Sequence, residues 1–427
     1  MDERVLSAVT DLVGQIDGAL TNDTDDQTTD ARELFGYLRH EGGAVEPYEP
    51  FDPATSSPYA VTPAADLGNW EEDPWGDPTY GVDASTTRPM EYDNGLIVDV
   101  AHAVLGVSGA DADRAPERES TVATGVYTGP RKLDTPTAEL DGQITGELIE
   151  IPADQQSIRN VTSTLASVVQ RRSESHHARR CLDEIDGPLF LDGAVYPLSL
   201  LRHVPDEGTD ANPDWELPTE ILETYVEVID RCFERGVPVY GVVKTSEITT
   251  LLRGLREKIR HNEIRRDDGT LRRVPYRTDA QFVAAVLRDE RLTHVAYTDW
   301  FVETEPVPGA DRSERLDPVA DVLEHGDPAD YRRAFCHVRL PETGTVFRIE
   351  TPLLFLEHSP GAEAVRLKML SEIARRGDVP GAVARADKRA RITRGNRDRI
   401  RHSLENAAPT HDYNADGRWD GLIHGSE

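Results

Sequence analysis

The stretch Phe-Leu-Asp-Gly-Ala-Val-Tyr at residues 190–196 places a carboxylate, Asp192, at the end of a short apolar run and turns at once on glycine. This pattern is typical of a buried strand that presents a metal ligand at the edge of a sheet. It is also typical of a β-hairpin, because Asp-Gly between apolar flanks is a strong turn signal. A similar stretch at residues 80–85, Tyr-Gly-Val-Asp-Ala-Ser, carries Asp83 more than a hundred residues upstream. Two such carboxylates meet only in a folded site, which favours the metal-ligand interpretation.

The composition is strongly acidic. The 427 residues carry a formal charge of −31, from 78 acidic against 47 basic side chains, and only five of the basic residues are lysine. Such a surface fits molar salt, where the Debye length falls to about 3 Å and self-repulsion is screened. We therefore expect a protein from a halophile. An acidic disordered chain is disfavoured, because helical and strand patterns persist along most of the sequence.

Cysteine usage and hydropathy bear on the compartment. The three cysteines are scattered without metal-ligand spacing, and their odd number favours reduced thiols inside a cell. No stretch approaches the roughly 20 apolar residues of a membrane span. The N-terminus lacks the basic and apolar regions of a signal peptide. We expect a cytoplasmic protein without a membrane partner.

The N-terminal region has a distinct pattern. Residues 3–20 place six apolar side chains on one helical face (Val5, Val9, Leu12, Val13, Ile16 and Leu20). We expect this helix to dock onto its own domain, with docking onto a partner as the alternative. A short helix is expected at 31–40. Residues 41–78 contain seven prolines and are expected to be mostly extended and irregular, with their aromatic side chains draped over the surface.

From Gly81 the pattern becomes α/β. The expected strands are one around Val82, one over 96–105 after a turn at 93–95, further strands within 120–150, one ending at Asp192, one over 237–243, and a hairpin of 334–340 with 345–356. The expected helices cover 158–184, 218–235 with Gly236 at its end, a start near 246, 279–288, 361–376 and 380–393. Residues 110–118 are interpreted as an acidic insertion, and the chain after 406 as a polar tail.

Four carboxylates follow this order of elements. Asp83 ends the first strand, Glu174 lies on a helix, Asp192 ends a later strand, and Asp387 lies on a late helix. This order is that of an RNase H-like nuclease site, where carboxylates from such elements converge on divalent metal. Two ions about 3.5–4 Å apart stabilise both the attacking hydroxide and the departing alkoxide of a phosphodiester. Oxygen-only ligands select Mg²⁺ or Mn²⁺ over zinc.

Five motifs in this order resemble the NurA nucleases of archaeal and bacterial DNA-end processing. They are Gly-Val-Asp-Ala-Ser at 81–85, Phe-Leu-Asp-Gly at 190–193, Gly-Val-Val-Lys-Thr-Ser at 241–246, Phe-Arg-Ile-Glu-Thr-Pro at 347–352, and Ala-Arg-Ala-Asp-Lys-Arg-Ala-Arg-Ile at 384–392. The resemblance covers roughly residues 76–400. It implies an RNase H-like mixed sheet flanked by helices, with large insertions and an irregular N-terminal extension. It also implies a Mn²⁺-dependent or Mg²⁺-dependent DNA nuclease with two ions per site, acting as a 5′–3′ exonuclease and single-strand endonuclease. The implied partner is a HerA-type hexameric ATPase, and the implied assembly is a homodimer.

The resemblance has departures and leaves alternatives open. The family often carries histidine at the last ligand position, where this chain has Asp387, and residues before 76 have no counterpart. Glu174 is the glutamate that the resemblance favours as the fourth ligand, and Glu147, Glu150 and Glu184 are its rivals. His176 and His177 are interpreted as solvated or structural. Asp279 is interpreted as a helix N-cap, and Tyr276 is a less favoured candidate for orienting a phosphate.

Charge distribution adds evidence that does not depend on the resemblance. Residues 253–277 hold nine basic side chains against four acidic ones, and residues 366–401 hold twelve against four. Two basic islands in an acidic chain favour contact with a polyanion, and the alternative is neutralisation by surrounding acid. Lys244 is expected to lie where a strand leads into a helix N-terminus, a potential anion site. The DNA-binding candidates are Lys244, Arg265, Arg266, Arg272, Arg273 and Lys388.

The sequence therefore predicts a NurA-like domain over residues 76–405, preceded by an extension over 1–75 and followed by a tail over 406–427. The predicted function is metal-dependent DNA cleavage during double-strand-break end resection, with Asp83, Glu174, Asp192 and Asp387 as catalytic metal ligands. One alternative is a catalytically silent RNase H-like scaffold that docks on the ATPase and guides DNA. Another is an RNA-directed nuclease of the same fold.

Overall fold

The structure is a computed structural model. It describes residues 3–19, 24–52, 56–109, 119–128, 138–141, 143–151, 161–203, 216–244, 248–304, 316–407 and 410. The predicted insertion at 110–118 and most of the predicted tail lie outside these residues.

Within the described residues the strands are β1 (Val45–Pro47), β2 (Tyr59–Pro63), β3 (Thr79–Thr86), β4 (Met90–Glu91), β5 (Ile97–Ser108), β6 (Ser120–Tyr127), β7 (Ala138–Asp141), β8 (Ile144–Glu150), β9 (Leu189–Asp192), β10 (Val239–Val243), β11 (His294–Thr298), β12 (Phe301–Glu303), β13 (Arg333–Arg339) and β14 (Val346–Pro352). The α-helices are α1 (Glu3–Ala19), α2 (Thr24–Gly36), α3 (Ala64–Gly68), α4 (Val161–Arg180), α5 (Leu217–Glu234), α6 (Thr250–His261), α7 (Asp279–Val286), α8 (Leu354–Glu357), α9 (Ala362–Arg376), α10 (Gly381–Ala390) and α11 (Arg394–Ala407). Short 3-10 helices cover Tyr37–Arg39, Leu182–Glu184, Leu198–His203 and Asp317–Val322.

The described strands form one 14-stranded mixed sheet, and its central five strands run in the order β6-β5-β3-β9-β10. Strands β3, β5 and β6 are antiparallel neighbours, whereas β9 lies parallel to β3 and β10 parallel to β9. Numbered along the chain, these five strands have the order 3-2-1-4-5, which is the RNase H-like arrangement. The predicted fold class is confirmed. Asp192-Gly193 is not a hairpin turn, because both neighbours of β9 are parallel to it.

Helices cover this sheet. Strand β3 lies in its middle, and its first six residues are buried. A strand buried on both faces requires the run of apolar and small residues that precedes Asp83. Helix α4 packs across β3, β5 and β6, and α10 packs across β3 and β5. The main apolar core lies between the sheet and these helices.

A second part of the same sheet contains elements that the sequence pattern did not predict. Beyond β10 the order continues through β14, β13 and β12 to β1, and β2 pairs with β11. Residues 45–47 and 59–63 are paired strands within the segment over 41–78 that was expected to be mostly extended and irregular, and their pairing was not predicted. The predicted domain boundary at residue 76 stays a prediction. A second apolar cluster joins α2, α6 and α7 to this part of the sheet.

Helix α1 forms as predicted but does not dock onto the described part of its own chain. Its apolar side chains are exposed by 42% to 59%: Val5, Leu6, Val9, Leu12 and Val13. The expectation that this face packs at home is therefore wrong. An amphipathic helix packs only where a second apolar surface meets its stripe, and no such surface of the described chain lies against α1. Periodicity reports the stripe but not the position of that surface.

Two further sequence expectations changed in extent. The helix expected over 31–40 begins at Thr24, and the region expected to be tail after 406 is preceded by α11. Ile400 and Leu404 of α11 pack against a small cluster on β4, β5 and β6. None of the described helices is long and apolar enough to cross a membrane. All three cysteines are buried and unpaired.

Candidate metal centre

Three of the four predicted ligand carboxylates meet at one edge of the central sheet. One oxygen each from Asp83, Asp192 and Asp387 lies within 4.8 Å of the others. Asp192 is the last residue of β9, but β3 continues past Asp83 to Thr86, so the expectation that Asp83 ends its strand is wrong. The two distant motifs converge because β3 and β9 are parallel neighbours with Val82 opposite Leu191, which brings the residues that follow this pair side by side.

Asp387 reaches this edge because α10 lies unusually close to the sheet. Gly81 on β3 and Gly106 on β5 are cross-strand partners under α10. A Cβ on Gly81 would lie 2.5 Å from the backbone of Ala382, and one on Gly106 would lie 2.5 Å from the nitrogen of Ala386. The absence of side chains at these two glycines therefore allows the backbone of α10 to pack directly against the sheet. Asp387 is half exposed, whereas Asp83 is buried.

Lys244 contacts this cluster directly. Its Nζ donates a hydrogen bond of 2.7 Å to Oδ2 of Asp192. The expectation that Lys244 lies at a helix N-terminus is wrong, because β10 ends at Val243 and α6 begins only at Thr250. The lysine instead supplies a positive charge beside the carboxylates. Neutralising one of several crowded carboxylates lowers their mutual repulsion.

Glu174 lies beside the cluster but is held by other partners. Its carboxylate accepts hydrogen bonds from Arg171 Nη1 at 2.5 Å, Tyr225 Oη at 2.8 Å and Gln170 Nε2 at 3.2 Å. Burial raises the pKa of Glu174, and the positive charge of Arg171 opposes that shift. Glu174 is not one of the three carboxylates within 4.8 Å, although its charge acts on Asp83.

The rival glutamates have other partners or lie elsewhere. Glu147 forms a salt bridge with Arg172 and an ion pair with His176, which together outweigh its burial and lower its pKa to about 2. Glu150 accepts a hydrogen bond from the hydroxyl of Thr128. Glu184 is an exposed residue in the 3-10 helix that follows α4. Of these four glutamates, Glu174 is the one whose charge acts on Asp83, and it stays the predicted fourth ligand.

The electrostatics of the site centre on Asp83. Its pKa rises from the ordinary 3.8 to about 7, first because of burial and then because of the charges of Asp192 and Glu174. Lys244 opposes this shift, and Asp387 adds to it only slightly. Crowded carboxylates of this kind disfavour their own ionised forms unless a cation joins them. The donor set contains only oxygen, which fits the hard cations Mg²⁺ and Mn²⁺.

The other predicted DNA contacts differ in how free their charges are. Arg272 is largely buried and pairs with Asp30 and Glu33, so its charge is neutralised within the chain. Arg265 is half exposed and donates to the carbonyl oxygen of Gly269. The remaining candidates, Arg266, Arg273 and Lys388, are exposed.

Three further interpretations concern single residues. Asp279 accepts hydrogen bonds from the backbone nitrogens of Leu251 and Leu252, so it caps the start of α6 rather than its own helix. Tyr276 packs against Phe282, with ring centroids 5.0 Å apart. His177 is buried and shares a hydrogen bond with Thr121, in keeping with a structural role.

Sequence reasoning did not single out Arg171 or Tyr225, which hold Glu174. Arg171 lies three residues before Glu174 on one helix face, and this spacing is a usable signal for an ion pair. Tyr225 lies on α5, and nothing in the local sequence links it to α4. Contacts between distant helices carry no such local signature.

Comparison with known proteins gives the family. The NurA domain model matches residues 77–392, well over half of the chain. Among solved structures, the NurA nuclease from Sulfolobus solfataricus is 11% identical, with a TM-score of 0.46, covering 95% of this chain and 97% of that one. A NurA structure with manganese is 12% identical, with a TM-score of 0.44, covering 80% and 92%. A NurA structure bound to dAMP and manganese is 10% identical, with a TM-score of 0.46, covering 93% and 97%. No curated protein sequence matches this chain. The extent of the family match shows that the chain belongs to the NurA domain family.

Proposed function

We propose that this protein is a metal-dependent DNA nuclease that hydrolyses phosphodiester bonds during double-strand-break end resection. The observation that carries the proposal is the meeting of Asp83, Asp192 and Asp387 within 4.8 Å at one sheet edge. Membership of the NurA family favours DNA as the substrate, because the nucleases that the chain resembles process DNA ends. RNA is the alternative that the cleavage assay below decides.

The three carboxylates would hold Mn²⁺ or Mg²⁺, with two ions per site. Bound ions of this kind stabilise the attacking hydroxide and the departing alkoxide together. Asp83 binds a cation only after losing its proton, and its pKa of about 7 places that loss near neutral pH. Lys244 places a positive charge beside Asp192. This charge would attract a phosphate of a substrate that enters at this edge. The carboxyl group of Glu174, held by Arg171 and Tyr225, would be a fourth acidic group beside the three ligands.

A run of basic residues that follows Asp387 along the chain supports an anionic substrate. It starts at Lys388, one residue beyond Asp387, and continues through Arg391 into α11. Helix α11 carries four arginines against two acidic residues, in a chain whose formal charge is −31. Such a local excess of arginine suits contacts to phosphates. Arg266 and Arg273 are exposed in the other basic island and extend the proposed contact surface.

The finer assignments follow from the family resemblance and from α1. We propose 5′–3′ exonuclease and single-strand endonuclease activities, a homodimer, and a HerA-type hexameric ATPase as partner. The exposed apolar face of α1 supports a protein partner, because a contiguous apolar surface of this kind usually marks an interaction site. An amphipathic helix that lays its apolar face into a groove is a common form of such contacts.

Cleavage of labelled single-stranded DNA, double-stranded DNA and RNA, with each metal ion titrated separately, tests the proposal. We expect DNA cleavage with Mn²⁺ or Mg²⁺ and none after chelation. Cleavage of RNA alone would assign the RNA-directed alternative. DNA binding without cleavage under any metal would assign the silent scaffold.

A further inference from the structure

The loop that follows Asp192 is held by a buried charged residue from another part of the sheet. Glu350 of β14 is fully buried, and its Oε2 accepts a hydrogen bond of 3.2 Å from the backbone nitrogen of Val195. Nothing local to Asp192 requires this contact, since Glu350 lies 155 residues further along the chain. A buried backbone N–H needs a partner, and here that partner is a carboxylate.

A missing side chain on β10 makes the contact possible. Gly241 pairs with Leu191 on one side and with Glu350 on the other. A Cβ on Gly241 would lie 2.4 Å from the nitrogen of Val195 and 2.7 Å from the carbonyl oxygen of Gly193. The loop therefore folds back over β10 at the one position where β10 leaves room for it. The glycine of the Gly-Val-Val-Lys-Thr-Ser stretch, Gly241, therefore leaves the space that the loop occupies.

The carboxylate of Glu350 is itself anchored by a buried ionic chain. Its Oε1 lies 2.7 Å from Nε of Arg348, which is 2% exposed at its side chain. Nη2 of Arg348 donates a hydrogen bond of 2.6 Å to Oε1 of Glu303, and Nε of Arg333 donates one of 2.9 Å to the other oxygen of Glu303. The guanidinium of Arg348 also lies 3.9 Å from the ring centroid of Phe335. The contact between Glu350 Oε1 and Arg348 Nε is an ion pair without hydrogen-bond alignment, so the hydrogen bond that the structure shows for this carboxylate is the one from Val195.

The first residue of the loop, Gly193, lies close to Arg171. Gly193 has a φ of +137°, and a Cβ there would lie 3.0 Å from both terminal nitrogens of Arg171. Arg171 is the residue that pairs with Glu174. Arg171 thus lies against Gly193 and Glu350 binds Val195, so the short loop that follows Asp192 is contacted at both of these residues.

We propose that Glu350 is a positioning residue: it fixes the loop 193–195 and through it holds Asp192 in the orientation that a divalent cation requires. This inference rests on the proposed function of the carboxylate cluster as a metal centre. Groups behind metal ligands that orient them commonly change metal affinity 10- to 100-fold when they are lost. Glu350 lies in the Phe-Arg-Ile-Glu-Thr-Pro stretch and supplies a physical reason for the charged pair within it.

The test compares two substitutions at Glu350. Glu350→Met keeps the size and removes the acceptor, whereas Glu350→Gln keeps an amide oxygen that accepts from Val195. We expect Glu350→Met to weaken Mn²⁺ binding, measured by calorimetry on the full chain, by about tenfold or more. Hydrogen–deuterium exchange of a peptide covering residues 193–198 should become faster at the same time. Glu350→Gln should restore most of both properties.

Three further variants keep the test decisive if Glu350→Met is poorly folded. Gly241→Ala displaces the same loop without touching Glu350, and should weaken Mn²⁺ binding while Gly14→Ala, where a Cβ meets nothing within 4 Å, changes nothing. Glu303→Gln is the matched control for loss of a buried charge. It removes the ion pair between Glu303 and Arg348 but leaves the carboxylate of Glu350 to accept from Val195. It should lower the melting temperature and leave loop exchange and Mn²⁺ affinity within about threefold.

The outcomes separate this inference from the function that it deepens. If the unaltered protein binds no Mn²⁺, the metal centre itself is refuted. If it binds Mn²⁺ and folded Glu350→Met or Gly241→Ala binds it equally well with unchanged loop exchange, the positioning role is overturned and the metal centre stands. Equal effects of Glu303→Gln and Glu350→Met would likewise reduce Glu350 to a structural ion-pair partner.

Discussion

Replacing Asp83 by asparagine should stabilise the metal-free protein at pH 8. Asp83 is buried beside two carboxylates, and its pKa is about 7 in the folded state against an ordinary 3.8. Because the folded pKa is raised, the folded state binds the proton more tightly than the unfolded state. The stabilisation that this bound proton gives the folded state is fully present below about pH 4 and is lost as the pH rises through about 7. Above pH 7 the ionised group destabilises the fold.

The size of the effect follows from the shift. A difference of about 3 pKa units corresponds to at most about 4 kcal/mol in the free energy of unfolding. With an unfolding entropy of roughly 2 cal/mol/K per residue, that amounts to a rise of about 4 °C in melting temperature if the chain unfolds in one transition. Asparagine resembles the protonated acid, so the rise should shrink toward zero near pH 4.

Scanning calorimetry or circular dichroism of the metal-free protein between pH 4 and pH 8 provides the measurement. Asp387→Asn is the matched control, because its side chain is half exposed and only weakly coupled to Asp83. It should change the melting temperature by less than 1 °C or so at either pH. Adding Mn²⁺ at pH 8 should raise the melting temperature of the unaltered protein and leave Asp83→Asn unmoved. A loss of stability in Asp83→Asn that is the same at pH 4 and pH 8 would refute the reasoning.

Three further predictions concern salt, α1 and the basic surface. If the acidic surface is an adaptation to molar salt, melting temperature and cleavage should rise toward molar KCl, although phosphate contacts weaken with salt; greater stability and full activity at 0.1 M would rule this out. Deleting residues 1–20 should leave the melting temperature within about 2 °C and abolish dimerisation or ATPase binding, judged by light scattering and pull-down, because the α1 side chains that the structure describes are exposed; an unfolded product would show that α1 belongs to the core. Arg273→Ala should weaken DNA binding several-fold without changing stability, whereas Arg272→Ala should lower stability by about 1 kcal/mol with little change in DNA affinity, because only Arg272 pairs with Asp30 and Glu33; the reverse result, by fluorescence anisotropy and melting, would contradict the assignment.

The strand-borne part of the site was predictable because its signals are local. An apolar run that ends in aspartate and a small residue describes both a buried strand and the edge where it ends, and this pattern located Asp83 and Asp192. Asp387 needed the order of elements as well, since a helix position alone does not state which strands lie beneath it. The glycine pair Gly81 and Gly106, which admits that helix, becomes meaningful only once the two strands are known to be neighbours.

The parts that sequence reasoning missed depend on contacts between distant segments. Lys244 was identified, yet its partner Asp192 follows from the parallel pairing of β9 with β10 and not from its own neighbours. Glu350 was part of a recognised motif, but its bond to Val195 exists only because one intervening strand, β10, aligns β14 with β9. Helix α1 is a further example. Its periodicity correctly predicted a helix, but the local sequence did not show which surface its apolar face would contact.

Metal-dependent cleavage by the unaltered protein and by Asp192→Asn tests the central claim most directly. Both proteins would be incubated with end-labelled single-stranded DNA and increasing Mn²⁺, after circular dichroism had shown that both are folded. We expect cleavage that saturates with Mn²⁺ in the unaltered protein, and loss of that cleavage in Asp192→Asn because the cluster loses one negatively charged ligand. Equal cleavage by a folded Asp192→Asn variant would contradict it and place the nuclease site elsewhere.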